Sequence, residues 1–329
     1  MDVVDIFQRY EPELRLVEKE LHDVFSSDVA LIPAIGRHIL NSGGKRMRPL
    51  YLILSAELAG YTGKARAVFG SIIEAIHNAS LLHDDIVDGA EVRRGQPTSH
   101  SLWGNEVVVL VGDFLYANSL RLAVEQQNLA IMHAISYAVT KMTEGEILQL
   151  QKIADPSVTE EEYLTIISSK TGVLISAACR IGALLAGVPA ERVEALARFG
   201  LKTGIVFQMF DDILDYKADE ERLGKILGKD LNEGKITLPL IYLLNCAQPQ
   251  EKQQVTRIIK SADDASPQEM TQNLAEIQEL FKKYGVIEKT MQRAIDIVNE
   301  AKWELSVFDD CPQKEALMVM ADYALQRKK

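Results

Sequence analysis

Apolar residues recur every three or four positions along most of this 329-residue chain, and the two-residue alternation typical of half-buried strands is almost absent. This periodicity predicts an all-α protein. One short run, residues 107–111, fits either a strand or a buried helix, and its apolar neighbours favour the buried helix. The predicted helices lie near residues 5–25, 28–41, 46–60, 65–89, 104–125, 128–152, 159–187, 189–217, 238–247, 249–261, 266–284, 285–308 and 312–327.

The composition of the chain limits both its organisation and its partners. With 47% hydrophobic residues it can bury a large core, and its length alone would allow two domains. No linker appears, so we predict one domain over residues 1–329. The net charge of −11 argues against nucleic-acid binding, which normally requires a basic face.

Cysteine usage and the N-terminal residues predict a cytoplasmic protein. Cys179, Cys246 and Cys311 lie far apart without metal-ligand spacing, and residues 1–5 lack the basic and apolar blocks of a signal peptide. No stretch approaches 18 uninterrupted apolar residues, so we expect no transmembrane segment. Contact with a membrane surface stays open.

Two adjacent aspartates followed three residues later by a third occur twice, each time in an apolar helix. One such triple alone fits a solvated acidic helix end equally well, but chance would produce two only about 0.003 times in a chain of this length. Mg²⁺ is usually held by a few carboxylates together with substrate phosphates. The repeat therefore predicts a shared metal site for a diphosphate. The aspartates are Asp84, Asp85 and Asp88, and then Asp211, Asp212 and Asp215.

A glycine turn at residues 43–49 carries three cations just before an apolar helix, which fits either an anion-binding turn or a basic turn in solvent. A phosphate-binding loop of the nucleoside-triphosphatase type is excluded, because Ile39 and Arg46 occupy positions that require glycine and Ser or Thr. The glycine- and lysine-rich segment 224–239 fits a lid or an ordinary flexible loop. Lys170, inside an apolar helix, needs a buried anionic partner unless it reaches solvent.

Taken together, these stretches resemble the trans-isoprenyl diphosphate synthases, which extend an allylic diphosphate with isopentenyl diphosphate. The resemblance covers nearly the whole chain and implies a large helical bundle surrounding a central cavity. It also implies a homodimer. The matching pieces are residues 43–49, 77–88, 93–95, 112–113, 144–146, 170–171, 207–215 and 228–239.

The resemblance implies a role for each motif residue. The six aspartates would hold Mg²⁺, three ions per active site, on the allylic diphosphate. Metal and lysine would stabilise the departing diphosphate, the allylic cation would be attacked by isopentenyl diphosphate, and a proton would be lost. The predicted catalytic residues are Asp84, Asp85, Asp88, Lys170, Asp211, Asp212 and Lys225. The predicted contacts to the allylic diphosphate are Arg93, Lys170, Thr171, Gln208, Lys225 and Lys235, and those to isopentenyl diphosphate are Lys45, Arg48, His77 and Arg94.

Two small residues before the first triple, Ala79 and Ser80, bear on product length. Ideal helix geometry places Ser80 one turn before Asp84, whereas the resemblance puts weight on Ala79 as well. Long-chain members of the resembled family carry small residues here, so the chain looks like a long-chain synthase, similar to octaprenyl diphosphate synthases and serving quinone side chains. Small residues that only permit close helix packing are the alternative. The pocket floor would lie deeper, at Ile135, Tyr137 or Met142.

Four other functions fit parts of the pattern. A terpene cyclase usually lacks a second aspartate triple. A di-iron bundle would need two Glu-x-x-His motifs, and the sequence has only the one at residues 74–77. A shorter-chain farnesyl or geranylgeranyl synthase stays open. So does a non-catalytic subunit that binds prenyl diphosphates, although both intact triples favour catalysis.

Overall fold

The computed structural model describes residues 1–217 and 227–326 and confirms the all-α prediction. The first nine elements are α1 (Val3–Val24), α2 (Leu31–Asn41), α3 (Met47–Leu58), α4 (Ala65–Val87), β1 (Val92–Arg93), β2 (Gln96–Pro97), α5 (Ser99–Trp103), α6 (Asn105–Glu125) and α7 (Leu129–Gln151).

The remaining elements are again helical. They are α8 (Glu160–Ile167), a π-helical turn (Ser168–Gly172), α9 (Val173–Ala186), α10 (Ala190–Tyr216), α11 (Lys229–Asn232), α12 (Leu238–Cys246), α13 (Pro249–Lys260), a 3₁₀ turn (Ala262–Asp264), α14 (Pro267–Tyr284), α15 (Val286–Glu304), a second 3₁₀ turn (Leu305–Val307) and α16 (Pro312–Tyr323).

Helix boundaries follow local capping chemistry. Thr159 accepts a hydrogen bond from the backbone of Glu162, and the Glu162 carboxylate accepts one from the backbone of Thr159, so the predicted capping box begins α8. At the C-terminal end of α14, Gly285 adopts a left-handed conformation with φ of 59°, which only glycine adopts at little cost. Such signals are local, which is why the long helices could be placed from sequence.

The chain divides into two compact units. The prediction of one domain over residues 1–329 stays a prediction. The first unit contains Met1–Thr140, Leu174–Gly200 and Glu304–Met320, and the second contains Lys141–Val173, Leu201–Trp303 and Ala321–Lys329.

In the first unit, α4 lies in the apolar core. Ala79 and Leu82 of α4 belong to a buried cluster with Val108, Val111 and Leu115 of α6. Residues 107–111 are therefore helical, as predicted, but the helix is buried on one side only in the single chain. Val109 and Leu110 of the same helix face outward in the single chain, because only one side of α6 packs against α4.

A hairpin follows α4 and was not predicted. Val92 pairs with Pro97 and Arg93 with Gln96 in antiparallel register. Arg94 and Gly95 between them have φ of 52° and 75°, the two positive values required by a tight two-residue turn. Arg93 lies on the first strand, before the turn, and its side chain reaches Asp85 near the end of α4.

In the second unit, three glycines allow helices to approach the π-helical turn. A Cβ on Gly145 of α7 would lie 2.8 Å from the backbone nitrogen of Lys170, and one on Gly204 of α10 would lie 2.6 Å from the Cα of Gly172. Both distances are too short for a real side chain. The turn therefore lies in close contact with α7 on one side and α10 on the other.

By length and hydropathy alone, two helical stretches of the described chain could cross a membrane. These are Asn105–Glu125 and Glu160–Ala186, and core helices of water-soluble proteins meet the same two criteria.

Candidate active site

The first acid triple lies at the end of α4. Asp84 and Asp88 are half-buried, whereas Asp85 is buried and its Oδ1 accepts a hydrogen bond of 2.6 Å from Nε of Arg93. Burial raises the pKa of Asp85, and the charge of Arg93 opposes that shift. The arginine thus compensates a carboxylate that burial would otherwise push toward its neutral form.

The basic turn before α3 uses its three cations differently. Arg46 is buried, with Nη1 donating to Glu74 at 3.2 Å and Nε to Glu18 at 3.3 Å. Lys45 is exposed and Arg48 is half-buried. A buried ion pair of this kind is costly to break from one side, so Arg46 anchors the turn. The predicted ligands Lys45 and Arg48 flank that anchor.

His77 lies among the predicted ligands of isopentenyl diphosphate. Its pKa is lowered well below 6.5, first by burial and then by the charges of Arg48, Arg94, Arg93 and Arg46. Burial, reinforced by these four positive charges, keeps the imidazole neutral at pH 7. His77 therefore lies in a strongly cationic environment to which Arg48 and Arg94 contribute, and the role of these three residues toward isopentenyl diphosphate stays a prediction.

A small cavity, partly open to solvent, lies beside the hairpin of the first unit. Asp85, Arg93 and Arg94 line it, together with His38 and Asn78, which the sequence did not indicate. Nε2 of His38 lies 2.9 Å from the Pro97 carbonyl oxygen, so His38 holds the hairpin against α2.

The predicted chain-length residues differ in their surroundings. Ala79 is fully buried in the apolar cluster of α4 and α6, whereas Ser80 is half-buried and its hydroxyl donates to the His77 carbonyl at 2.8 Å. Of the proposed floor residues, Ile135 and Met142 are buried, but the Tyr137 side chain is 53% exposed in the single chain.

The second acid triple lies at the end of α10. Asp212 is buried, and its two oxygens accept hydrogen bonds from the Tyr163 hydroxyl at 2.6 Å and from Nε2 of Gln208 at 2.9 Å. Burial raises the pKa of Asp212 to about 6, Asp211 and Asp215 raise it further, and the two hydrogen bonds oppose the shift. Neutral donors hold this carboxylate, whereas a cation holds Asp85.

Asp215 supports the segment that follows. Its Oδ2 accepts the backbone N–H of Asp230 at 2.9 Å, at the start of α11. Burial and the nearby charges of Asp212 and Asp215 raise the pKa of Asp230 well above its ordinary value. The third aspartate of this triple thus has a structural contact besides its predicted role toward metal.

Lys170 finds the anionic partner that its place in an apolar helix required. Its Nζ lies 2.6 Å from one oxygen of Glu146 and donates to Oε1 of Gln149 at 2.8 Å, both on α7. On the other side of the π-helical turn, the Thr171 hydroxyl donates to Oε1 of Gln208 at 3.0 Å. One turn therefore connects two predicted ligands to two different helices.

Lys170, Gln149 and Gln208 line a cavity within the second unit that is partly open to solvent. Lys235, whose Nζ lies 2.7 Å from Glu233, belongs to the same lining. The predicted catalytic residue Lys225 lies outside the described residues. The cavity-lining residues with polar side chains include Gln149, Lys152, Tyr163, Lys170, Gln208, Asp212, Asp230, Lys235 and Thr237.

The donor chemistry of both triples fits a divalent cation. Within residues 1–217 and 227–326, no group of three or more His, Cys, Asp or Glu side chains is arranged to hold a metal ion by itself. Mg²⁺ does not require such a cage, because it keeps several waters and is commonly shared between carboxylates and substrate phosphates. The hard carboxylate oxygens of the triples therefore suit a metal that arrives with a diphosphate.

Comparison with known proteins identifies the family. The family model for polyprenyl synthetases matches residues 29–277. The chain belongs to the polyprenyl synthetase family. This polyprenyl synthetase is 39% identical over 311 residues to octaprenyl diphosphate synthase of Escherichia coli strain K12, covering 94% of each chain. It is 37% identical to geranylgeranyl diphosphate synthase of Methanosarcina mazei, covering 89% of this chain and 88% of the relative.

A solved structure agrees with these relatives. The polyprenyl synthase of Caulobacter crescentus CB15, complexed with calcium and isoprenyl diphosphate, superposes with a TM-score of 0.92 at 37% identity and covers 100% of this chain and 99% of that one. The chain is therefore a prenyltransferase, a trans-prenyl diphosphate synthase with the all-α fold of its family. Its relatives make products of different length, so family membership alone does not fix the product.

Proposed function

We propose that this polyprenyl synthetase is a long-chain, all-trans synthase that repeatedly adds isopentenyl diphosphate to an allylic primer such as farnesyl diphosphate, for quinone side chains. The observation that carries the proposal is the pair of small residues, Ala79 and Ser80, one turn before the first triple on α4. The 39% identity to an octaprenyl diphosphate synthase over 94% of both chains supports it.

In this proposal the six aspartates hold Mg²⁺, three ions per active site, on the allylic diphosphate. Bound Mg²⁺ would neutralise the charge of the diphosphate as it departs. Lys170, Lys225 and Lys235 add positive charge to the same group, while Thr171 and Gln208 orient it. Arg93, which holds Asp85 in the structure, contacts the diphosphate beside that carboxylate.

Isopentenyl diphosphate is held by the cationic group around His77. Lys45, Arg48 and Arg94 supply positive charge, and neutral His77 supplies an imidazole hydrogen bond. The double bond attacks the allylic cation, a carbon–carbon bond forms, and the proton lost from the adjacent carbon passes to the departed diphosphate. No protein nucleophile is required.

The test is a product analysis of the purified full chain. With Mg²⁺, farnesyl diphosphate and isopentenyl diphosphate, we expect diphosphate release and, after dephosphorylation and chromatography, mainly octaprenol. Geranylgeraniol as the main product would replace the proposal with a short-chain synthase. Binding of farnesyl diphosphate without diphosphate release would indicate a non-catalytic subunit.

We also propose a homodimer that works in the cytoplasm and touches the membrane surface only when it releases product. In the single chain, α6 and the start of α7 expose large apolar side chains, among them Leu110 at 66% and Leu129 at 85%. A second copy of the chain packed on this part of the surface would remove such side chains from water.

Light scattering tests the dimer. We expect twice the chain mass of 36.6 kDa at micromolar concentration, and a monomer for Leu110→Glu. Leu16→Glu is the matched control, because Leu16 is also an exposed leucine but lies on α1. A wild-type monomer, or a Leu110→Glu variant that stays dimeric, would contradict the proposed surface.

A further inference from the structure

The side chain of Lys170 is held from α7 by two acceptors of different charge. Glu146 contacts the ammonium with both carboxylate oxygens, at 2.6 and 2.8 Å, and Gln149 accepts at 2.8 Å. Glu146 and Gln149 are three residues apart, so they face the same side of α7. Neither residue was assigned a role from the sequence.

The backbone around this contact has no room to adjust. A Cβ on Gly145 would lie 2.8 Å from both the nitrogen of Lys170 and the Cβ of Ser169, so α7 touches the π-helical turn directly. A widened turn inside an otherwise regular helix frequently marks a functional site. With the backbone confined, the position of the Lys170 ammonium depends on the groups that hold its flexible stem.

A carboxylate beside this lysine is electrostatically unfavourable for diphosphate binding. Lys170 lines the cavity of the second unit together with Gln208 and Asp212, and Glu146 adds a negative charge next to it. If Lys170 only attracted the substrate, the negative charge of Glu146 would weaken that attraction. A lysine is a compact charge on a four-carbon stem with many rotamers, and a paired carboxylate restricts those rotamers.

We propose that Glu146 and Gln149 are positioning residues that fix the Lys170 ammonium where it meets the allylic diphosphate oxygen during ionisation. The inference rests on the proposed contact between Lys170 and that diphosphate. As the allylic carbon–oxygen bond breaks, its electron pair passes to this oxygen. A pre-placed cation then stabilises the new charge without reorganising.

The first test is Glu146→Gln, which keeps the side-chain shape and removes the charge. In single-turnover measurements with farnesyl and isopentenyl diphosphate, we expect the rate of condensation to fall about tenfold to a hundredfold, the scale of a small misplacement in an active site. The affinity for farnesyl diphosphate, measured by calorimetry, should change less than about threefold, because Lys170 keeps its charge. Unaltered thermal unfolding would show that the fold is intact.

Glu144→Gln is the matched control. Glu144 lies two residues earlier on the same helix, is exposed, and pairs with Lys141 at 2.6 Å instead of Lys170. We expect this variant to keep wild-type kinetics. A wild-type rate in Glu146→Gln, or a loss confined to affinity, would overturn the proposed positioning.

A double-mutant cycle separates positioning through Lys170 from any independent effect. If Glu146 acts only through Lys170, Glu146→Gln should lower the rate less than about twofold in a Lys170→Met background. The full loss in that background would overturn the inference, as would a wild-type rate for Lys170→Met alone. An inactive wild-type enzyme would instead contradict the proposed function.

Discussion

The two acid triples share one spacing but have opposite surroundings. In the first, buried Asp85 pairs with the cation Arg93, and four arginines surround His77. In the second, buried Asp212 is held by the neutral side chains of Tyr163 and Gln208. The same motif is thus compensated by charge in one unit and by hydrogen bonds in the other, so a shared spacing does not fix the electrostatics of a site.

The environment follows from what comes after each triple. After α4, the first strand of a tight hairpin carries the arginine that pairs with Asp85. After α10, Asp215 instead accepts the backbone N–H of Asp230, another acidic residue. The first triple is therefore built into a cationic region, and the second into a carboxylate-rich one. This difference predicts how each responds to mutation and to pH.

The largest effect should come from removing one carboxylate from either triple. We expect Asp84→Asn and Asp211→Asn each to lower kcat by roughly a thousandfold at saturating Mg²⁺, because metal-assisted charge stabilisation contributes several kcal/mol to such a reaction. Steady-state diphosphate release measures the loss.

Asp309→Asn, at an exposed position, serves as the control for loss of one negative charge. The sequence prediction that both triples share one metal site depends on the result. Wild-type turnover in both Asp84→Asn and Asp211→Asn would refute the shared site. Wild-type turnover in only one variant would mean that the other triple alone holds essential metal.

A second effect concerns the residues one turn before each triple. Ala79 and Ser80 are small, whereas Val206 and Phe207 occupy the equivalent positions before Asp211. We expect Ser80→Phe, and Ala79→Phe combined with Ser80→Phe, to shift the product from octaprenyl to mostly farnesyl or geranylgeranyl diphosphate. Chromatography of dephosphorylated products measures the shift.

The structure separates the two substitutions. Ala79 is fully buried, so a phenyl ring there should cost about 1–3 kcal/mol of stability by overpacking, whereas half-buried Ser80 should tolerate it better. Thr271→Phe on α14 is the control, since Thr271 is exposed and its hydroxyl also bonds a carbonyl of its own helix. An unchanged long-chain product in an active Ser80→Phe enzyme would place the growing tail elsewhere.

The long helices were predictable because their signals are local. The apolar periodicity placed α4 and α10 within a few residues, and the capping box at Thr159 placed the start of α8. The hairpin and the two shortest helices, α5 and α11, were missed because four or five residues are too few to show a period. The π-helical turn was hidden by the helical pattern on both sides of it.

The candidate site could be proposed from sequence where charge interrupts an apolar pattern. That contrast revealed the aspartates and Lys170, and the lysine's need for an anion was confirmed. Its partner Glu146 was missed, because an acidic residue on an amphipathic helix has the same pattern as a solvated face. Nor could sequence show which cation of the basic turn is buried, since Arg46 is held by long-range contacts with Glu18 and Glu74.

The smallest expected effect is on pH-dependent stability, and it has opposite signs in the two units. The folded-state pKa of His77 is depressed below 6.5, so the contribution of neutral His77 to folding stability is present above pH 6.5 and is lost as pH falls. The pKa of Asp212 is raised from 3.8 to about 6, so the contribution of protonated Asp212 to folding stability is present at low pH and is lost as pH rises through about 6.

Urea unfolding of the metal-free enzyme between pH 4 and pH 7, with chelator present, measures both contributions. Relative to wild type, His77→Gln should gain stability as pH falls below 6.5, because the variant has no imidazole to protonate among arginines. Asp212→Asn should gain stability as pH rises, by on the order of 1–3 kcal/mol at pH 7, because it avoids a buried charge. Profiles parallel to wild type would contradict the contrast, because they would mean that burial and the neighbouring groups do not shift the pKa values of His77 and Asp212 in opposite directions.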